Sequence, residues 1–304
     1  MQLITYQDSG RERAARVGVL LESKVIDVAA LARHENSTLP HTMLGLIDAG
    51  PSALDRLRQL IETHRLGWPV GTATWRDNVR LLAPIPRPRK NIFGIGLNYV
   101  DHVAESSRSL DTAKDMPAKP VVFSKPPTSV IGPGDAIEHN AAITVQLDWE
   151  VELGVVIGRT AKRIREADAM DYVFGYTVIN DVSARDNRRA GQWIFSKGQD
   201  TYCPMGPCIV TADEIPDPHN LALSLKKNGR SMQVANTSQM YFRIPVLIAD
   251  IASAITLEPG DIIATGTPSG VGAGRTPPEW MVPGDVIEAH VEGIGTLRNP
   301  VIAA

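Results

Sequence analysis

Cysteine is scarce in this 304-residue chain: Cys203 and Cys208 stand alone, in "CPMGPC", a spacing that is neither a CxxC redox pair nor half of a zinc site. A disulfide scaffold therefore has no basis, and reduced thiols in a cytoplasmic protein are the expectation. Long apolar runs are missing as well; none approaches the roughly 18 residues that a membrane helix needs. The opening "MQLITYQDSGRERAARVGVLL" lacks the basic head, apolar stretch and small-residue cleavage site of a secretory leader, so a soluble chain with no membrane partner is expected. Charge of one sign is never concentrated. The chain has 31 basic and 34 acidic residues, a formal net charge of −3, and no Lys/Arg block or aromatic-interleaved basic stripe to attract nucleic acid. The glycine-rich "ATGTPSGVGAG" lacks the Lys-Ser/Thr ending of a nucleotide-binding P-loop, which removes ATP as a ligand. Its backbone N–H groups, with Thr267, could still face an anion.

What is present is ordinary globular composition, 43% hydrophobic and 21% charged, in a chain long enough for one large domain or two unequal ones. Residues 2 to 28 read as strands, with Val17, Val19 and Leu21 alternating before a turn at Glu22 and Ser23. In "PSALDRLRQLIETHRL" Leu54, Leu57, Leu60 and Ile61 share a helical face, and Ser52 is a plausible N-cap. Prolines then crowd "LLAPIPRPRKN", residues 81 to 91, which suits a semi-rigid connector. A small N-terminal domain, 1–85, and a larger one, 86–304, are expected. The larger part carries three turn signals, "GPGDAI", "EPGDII" and "VPGDVI", each with Pro-Gly for a type II turn followed by strand residues. Helices are expected only near 99–106, 165–173 and 243–254. The fold class is therefore α+β and β-rich, not a doubly wound sheet.

One stretch raises a physical question. In "LDWEVELGVV", residues 147 to 156, the carboxylates Asp148, Glu150 and Glu152 fall at every second position, which on one strand lines them up about 7 Å apart on a single face. Neighbouring like charges at that spacing repel by roughly 0.6 kcal/mol in water but about 2–3 kcal/mol at an effective dielectric of 20. A solvated row costs little; a sheltered row needs a cation. Alternation alone suits an antiparallel strand with one wet face equally well.

Other segments offer chemistry. On a helix through "NYVDHVAES", His102 and Glu105 are i and i+3 neighbours, so the carboxylate can orient the imidazole and stabilise its protonated form, as a general base requires. A surface ion pair is the plainer reading of the same spacing. "GYTVINDVSARDNRR" reads as a buried strand ending at Asn180 and Asp181, with Arg185 and Asp186 following. An Asp at a strand end caps a turn more often than it binds metal. "FSKGQD" contributes Lys197.

Taken together, "GLNYVDHVAES", "FSKPPTSVIGPGD", "LDWEVELGVVIG", "GYTVINDVSARD", "KGQDTYCPMGPCIV" and "IIATGTPSGVG" resemble, in order and spacing, the fumarylacetoacetate hydrolase superfamily over about residues 80 to 304. Residues 1 to 80 are similar to the less distinctive N-terminal domain of its bacterial members.

The resemblance implies a mixed β-sheet roll in the large domain, a homodimer, and a divalent ion held by Glu150, Glu152 and Asp181. All-oxygen ligation makes Mg²⁺ the first expectation, with Mn²⁺ or Ca²⁺ as alternatives. Asp148 would then stand behind the ligands or at the surface. It further implies cleavage of a 2,4-dioxo acid of the acylpyruvate type, such as fumarylpyruvate or maleylpyruvate, with His102 and Glu105 activating water and Lys197 supporting the enolate. Tyr99, Lys125, Arg185, Arg188 and Thr267 are the expected substrate contacts, and the polar residues 106 to 118 a lid. Arg188 departs from the pattern, since many members carry Gln there. A second arginine suits a more anionic substrate, a dicarboxylate. The alternatives are therefore oxaloacetate decarboxylation or isomerisation of an unsaturated 2-oxo diacid of aromatic degradation. A non-catalytic, Ca²⁺-stabilised β-protein would leave Lys197 and the His102–Glu105 pair without a task.

Overall fold

The computed structural model describes residues 1–9, 14–109, 116–189 and 191–304, the side chains of 106–109 excepted. Of the expected lid segment 106–118, residues 110–115 lie outside the described residues, and 106–109 belong to the last turn of α3. Among the described residues the protein is mixed and strand-rich, with helices α1 (Val28–His34), α2 (Met43–His64), α3 (Val100–Ser109), α4 (Ile194–Lys197) and α5 (Ile244–Ala254). No described helix is long and apolar enough to cross a membrane.

The alternation read at residues 2 to 28 becomes three antiparallel strands, Gln2–Asp8, Arg16–Leu21 and Lys24–Asp27. They join a 12-stranded sheet that runs on through Cys203–Thr211, Val173–Asn180, Val151–Ile157, Ile262–Ala264, Ile92–Gly96 and Val121–Lys125. Segments on either side of residue 86 thus share one sheet, since Gln2 and Leu3 pair with Val210 and Ile209. A five-stranded sheet, built around Ala222–Lys227 and Val286–Val291, covers one face of it.

Strand alternation explains how these layers stack. Val151, Leu153 and Val155 point into the core shared with Leu223, Leu225, Ala289 and α5. Val156, on the opposite face, joins Ile179, Met205 and the apolar faces of α1 and α2 in a second core. Glu152 belongs to that second face but sits at the strand end, beyond the helices' apolar cover.

Two local expectations need correction. The helix expected from Pro51 begins earlier: α2 starts at Met43, with Thr42 Oγ1 accepting from the Gly45 N–H, and breaks at Gly50 (φ +70°), so that Pro51 restarts it without needing a donor. The segment 165–173 winds as a 3₁₀ helix, Glu166–Tyr172, not an α-helix. The three Pro-Gly-Asp turns form as expected: Gly134, Gly260 and Gly284 all take positive φ, and each following Asp carboxylate accepts the N–H three residues before it.

Candidate functional site

The carboxylate row is not one continuous strand. Leu147–Asp148 pairs with Ser183–Ala184 as a separate two-stranded piece, and regular pairing resumes only at Val151. Across the break, the Glu150 N–H donates to Asn180 Oδ1 at 3.0 Å, and the Asp181 N–H to the Glu150 carbonyl at 2.8 Å. Since Val151 faces Asn180 in the antiparallel register, Asp181 falls opposite Glu150, and that pairing brings the third carboxylate to the first two.

None of this faces water. Asp148, Glu152 and Asp181 are 0% exposed and Glu150 3%, which rules out a solvated face. Burial on this scale demands compensating charge. Lys197, from α4, places its ammonium 2.7 Å from both Glu150 Oε2 and Asp181 Oδ2. Arg185 Nη2 lies 2.6 Å from Glu150 Oε1, and its Nε donates to Asp148 Oδ2 at 2.8 Å. Lys125 Nζ donates to Asp181 Oδ1 at 2.5 Å and to the Lys197 carbonyl.

Four carboxylates therefore meet three cations, and Glu152 is the one with no lysine or arginine in contact. Its Oε2 accepts the Gly266 N–H at 2.9 Å, while Oε1 is buried with no hydrogen-bond partner among the described residues. Burial, then Asp181 and Glu150, raise its carboxyl well above the usual carboxylate range. Burial also works to raise Glu150, but Lys197 and Arg185 outweigh it and hold that carboxyl well below the ordinary value.

Oxygens of Glu150, Glu152 and Asp181 lie within 4.8 Å of one another. Three hard donors, one surplus negative charge and one orphaned buried oxygen fit a divalent cation, and this donor set could hold Mg²⁺ or Mn²⁺.

The glycine-rich loop does aim backbone N–H groups at anions, but these are the protein's own carboxylates. Gly272 and Ala273 donate to Asp148 at 2.6 and 3.1 Å, and Gly270 to both oxygens of Glu105 at 3.1 and 3.0 Å. A Cβ on Gly274 would stand 2.0 Å from Glu105, so the loop closes on that side chain only because this residue has none. His102 Nδ1 lies 3.5 Å from Glu105 Oε2, and both are nearly buried, which sets the plain surface-pair reading aside.

A single pocket gathers His102, Glu150, Arg185, Arg188, Lys197 and Thr267. Arg188 stacks its guanidinium 4.6 Å from the centre of the Trp193 ring, and burial and then Arg185 lower its pKa. Thr267 donates to the Val151 carbonyl and accepts from Gln233, so its hydroxyl serves the scaffold.

Two of the expected substrate contacts lie elsewhere. Lys125 is fully buried beneath Asp181, and Tyr99 is 1% exposed, its phenol pushed up by burial and by Glu152. Lys125 lies against Asp181, and neither Lys125 nor Tyr99 lines the pocket that holds His102 and Lys197. Asp148 too is an internal anchor for Arg185 and not a surface group.

Sequence reasoning passed over Asn98. Fully buried, it donates to the Phe242 and Thr265 carbonyls and accepts from the Phe242 N–H, tying the start of α3 to two other segments. Its only signal was its place between "GIGL" and the helix. Cys203 and Cys208 are free and buried, and burial pushes both thiols up to about 12.

Comparison with known proteins places this arrangement. The fumarylacetoacetate hydrolase C-terminal family matches residues 91–302. An oxaloacetate tautomerase of Bacillus subtilis is 41% identical over 291 residues, 94% of this chain and 95% of that one, and a mitochondrial oxaloacetate tautomerase of Xenopus laevis is 39% identical over 307 residues, 99% and 90%. Among solved structures, a fumarylacetoacetate hydrolase of Exiguobacterium antarcticum aligns over 100% of both chains with a TM-score of 0.81 and 36% identity. A maleylpyruvate hydrolase of Sphingobium sp. SYK-6, solved with manganese(II) and pyruvate, aligns over 100% of both with a TM-score of 0.79 and 30% identity. The chain belongs to the fumarylacetoacetate hydrolase family.

Proposed function

We propose that the protein interconverts the enol and keto forms of oxaloacetate, using a divalent ion, Mg²⁺ or Mn²⁺, held by Glu150, Glu152 and Asp181. This reading sets the hydrolysis of acylpyruvates in second place. The observation that carries it is the relationship: relatives described as oxaloacetate tautomerases are 39–41% identical over nearly the whole chain, against 30–31% for the maleylpyruvate hydrolase structures. Arg188 supports the same choice, because a stacked guanidinium beside the pocket suits a second substrate carboxylate.

The reaction shifts one proton between C3 and the oxygen on C2, and no bond between heavy atoms forms or breaks. When bound, the ion would polarise the 2-oxygen and stabilise the enolate charge. His102 exchanges the proton at C3, its ring oriented by Glu105. The enol proton leaves the 2-oxygen to water, from which His102 is reprotonated, and Lys197, held as an ammonium between Glu150 and Asp181, donates a hydrogen bond to the oxygen that is left. Arg188 pairs with the C4 carboxylate. Arg185, already engaged with Asp148 and Glu150, keeps Glu150 ionised.

A second reading, hydrolysis of a 2,4-dioxo acid, is favoured by the His102–Glu105 pair, which could equally activate water. Decarboxylation of oxaloacetate would use the same enolate but release carbon dioxide. One experiment separates the three: enol-oxaloacetate is mixed with protein loaded with Mn²⁺ or Mg²⁺, and loss of enol absorbance and formation of pyruvate are followed together, with fumarylpyruvate and maleylpyruvate in parallel. Faster ketonisation without pyruvate is expected. Pyruvate from the dioxo acids, with ketonisation no faster than in buffer, would reject the tautomerase.

A further inference from the structure

We propose that His34, Glu35 and His64 form a second cation site, outside the pocket's lining and built for Zn²⁺ or a similar transition-metal ion. His34 ends α1, Glu35 caps it, and His64 ends α2. Glu35 Oε1 lies 2.7 Å from His64 Nε2 and 3.8 Å from His34 Nε2. The two imidazoles meet edge to face with centroids 5.6 Å apart, and one donor atom from each of the three residues falls within 4.8 Å of the others.

The Glu35–His64 hydrogen bond alone would be an ordinary surface pair. It gives no reason for His34 to bring a second ring to the same oxygen. Two imidazoles and a carboxylate are a recurrent three-donor set for Zn²⁺, with a fourth position left to water. The chemistry differs in kind from the oxygen cage: nitrogen donors select borderline ions, whereas Glu150, Glu152 and Asp181 select hard ones.

Local electrostatics point the same way. The C-terminus of α2 favours a cation, and a carboxylate in the capping position of α1 is poorly placed without one. Glu35 is held there by its own N–H, which bonds to the Leu31 and Ala32 carbonyls. An ion at this point would tie together the ends of two helices whose apolar faces share one core. Because it binds only the folded arrangement, it would raise stability by mass action without touching the chemistry.

The test uses full-length protein carrying Glu152→Gln, so that the oxygen cage does not compete, stripped with chelator and titrated with Zn²⁺ in a calorimeter. One equivalent is expected, weakened by at least ~10- to 100-fold in the added His34→Ala or His64→Ala variants. Co²⁺ in place of Zn²⁺ should give the intense visible absorption of a four-coordinate nitrogen-containing site, and lose it in the same variants. His34 is half exposed, so its replacement spares the core, and a thermal melt without metal checks this. In otherwise unaltered protein, His34→Ala should leave Mn²⁺-supported turnover unchanged. No Zn²⁺ uptake, or uptake indifferent to both histidine substitutions, would overturn the proposal.

Discussion

The pocket has a floor and a roof that are made differently. The floor is Glu150, Glu152 and Asp181, fixed by strand pairing between Val151–Ile157 and Val173–Asn180, buried and braced by Lys125, Lys197 and Arg185. The roof is α3, which carries His102 and Glu105 and is pinned to the glycine-rich loop through the Gly270 N–H. Floor residues owe their positions to backbone register, which a side-chain change barely moves. Roof residues owe theirs to a few side-chain hydrogen bonds and to the absence of a Cβ at Gly274. On the proposed function, the comparison separates the residues that would hold the ion from those that would move the proton, and each half can be damaged without the other.

The largest effect should come from the floor. Glu152→Gln removes a proposed ligand and also the one carboxylate of the buried four that no lysine or arginine contacts among the described residues. Turnover should fall on the order of 10³-fold or more, since charge stabilisation at the reacting oxygen is lost. The metal-free protein, however, should melt a few degrees higher than its parent, because a carboxyl that burial forces to take up a proton on folding has been replaced by a neutral amide. Melting curves with and without Mn²⁺ check both: the parent should gain stability on adding metal and the variant should not. A variant less stable than the metal-free parent would mean that Glu152 is braced by something other than an ion.

His102→Ala tests the roof. Turnover should drop roughly 10²- to 10⁴-fold, the usual contribution of a positioned acid–base group, while the Mn²⁺ affinity measured by calorimetry stays at the parent value. Loss of metal binding in this variant would erase the distinction between the two halves.

How far the sequence exposed this division follows from the kind of constraint each part obeys. The floor was legible because strand periodicity is two and carboxylates in an apolar strand are conspicuous, so Glu150 and Glu152 stood out before any contact was known. Asp181 was legible only through the family resemblance, since its meeting with Glu150 depends on a strand register that single-sequence periodicity does not encode. The break after Asp148 was hidden for the same reason: the alternation continues through it, but pairing switches partners. The resemblance implies a substrate contact for Lys125, whereas its burial under Asp181 is a property of packing that no motif displays. In the roof, the His102–Glu105 spacing was visible, but the loop amides that hold Glu105 were not, because backbone N–H groups leave no trace in composition.

Gly274→Ala probes that hidden support. The added methyl would fall 2.0 Å from Glu105, whose carboxylate is held in place by Gly270, so Glu105 and the imidazole it orients must shift. A displacement of this size should lower kcat by about 10- to 100-fold, with Mn²⁺ affinity unchanged. Hydrogen exchange of the α3 amides, followed by mass spectrometry, should quicken in the variant while the floor strands keep their protection. Equal loosening of strands and helix would show that the loop supports the whole site and not the roof alone.

The smallest change should come from Arg188, which belongs to neither half and is proposed to read the substrate. Its guanidinium stacks on Trp193 at the pocket and is proposed to meet the distal carboxylate. Arg188→Gln removes that charge but keeps a hydrogen-bond donor. Losing a charge-assisted hydrogen bond at a half-buried position should raise KM for oxaloacetate about tenfold, with kcat changed much less. An uncharged analogue at that end, such as acetylpyruvate, makes no use of the guanidinium, so its KM should stay level or fall. The selectivity between dicarboxylate and uncharged acyl group is thus the quantity to measure. A parallel rise in KM for both would move Arg188 from substrate recognition to support of its neighbour Arg185, and the preference for a dicarboxylate would then have to arise from another cation in the pocket.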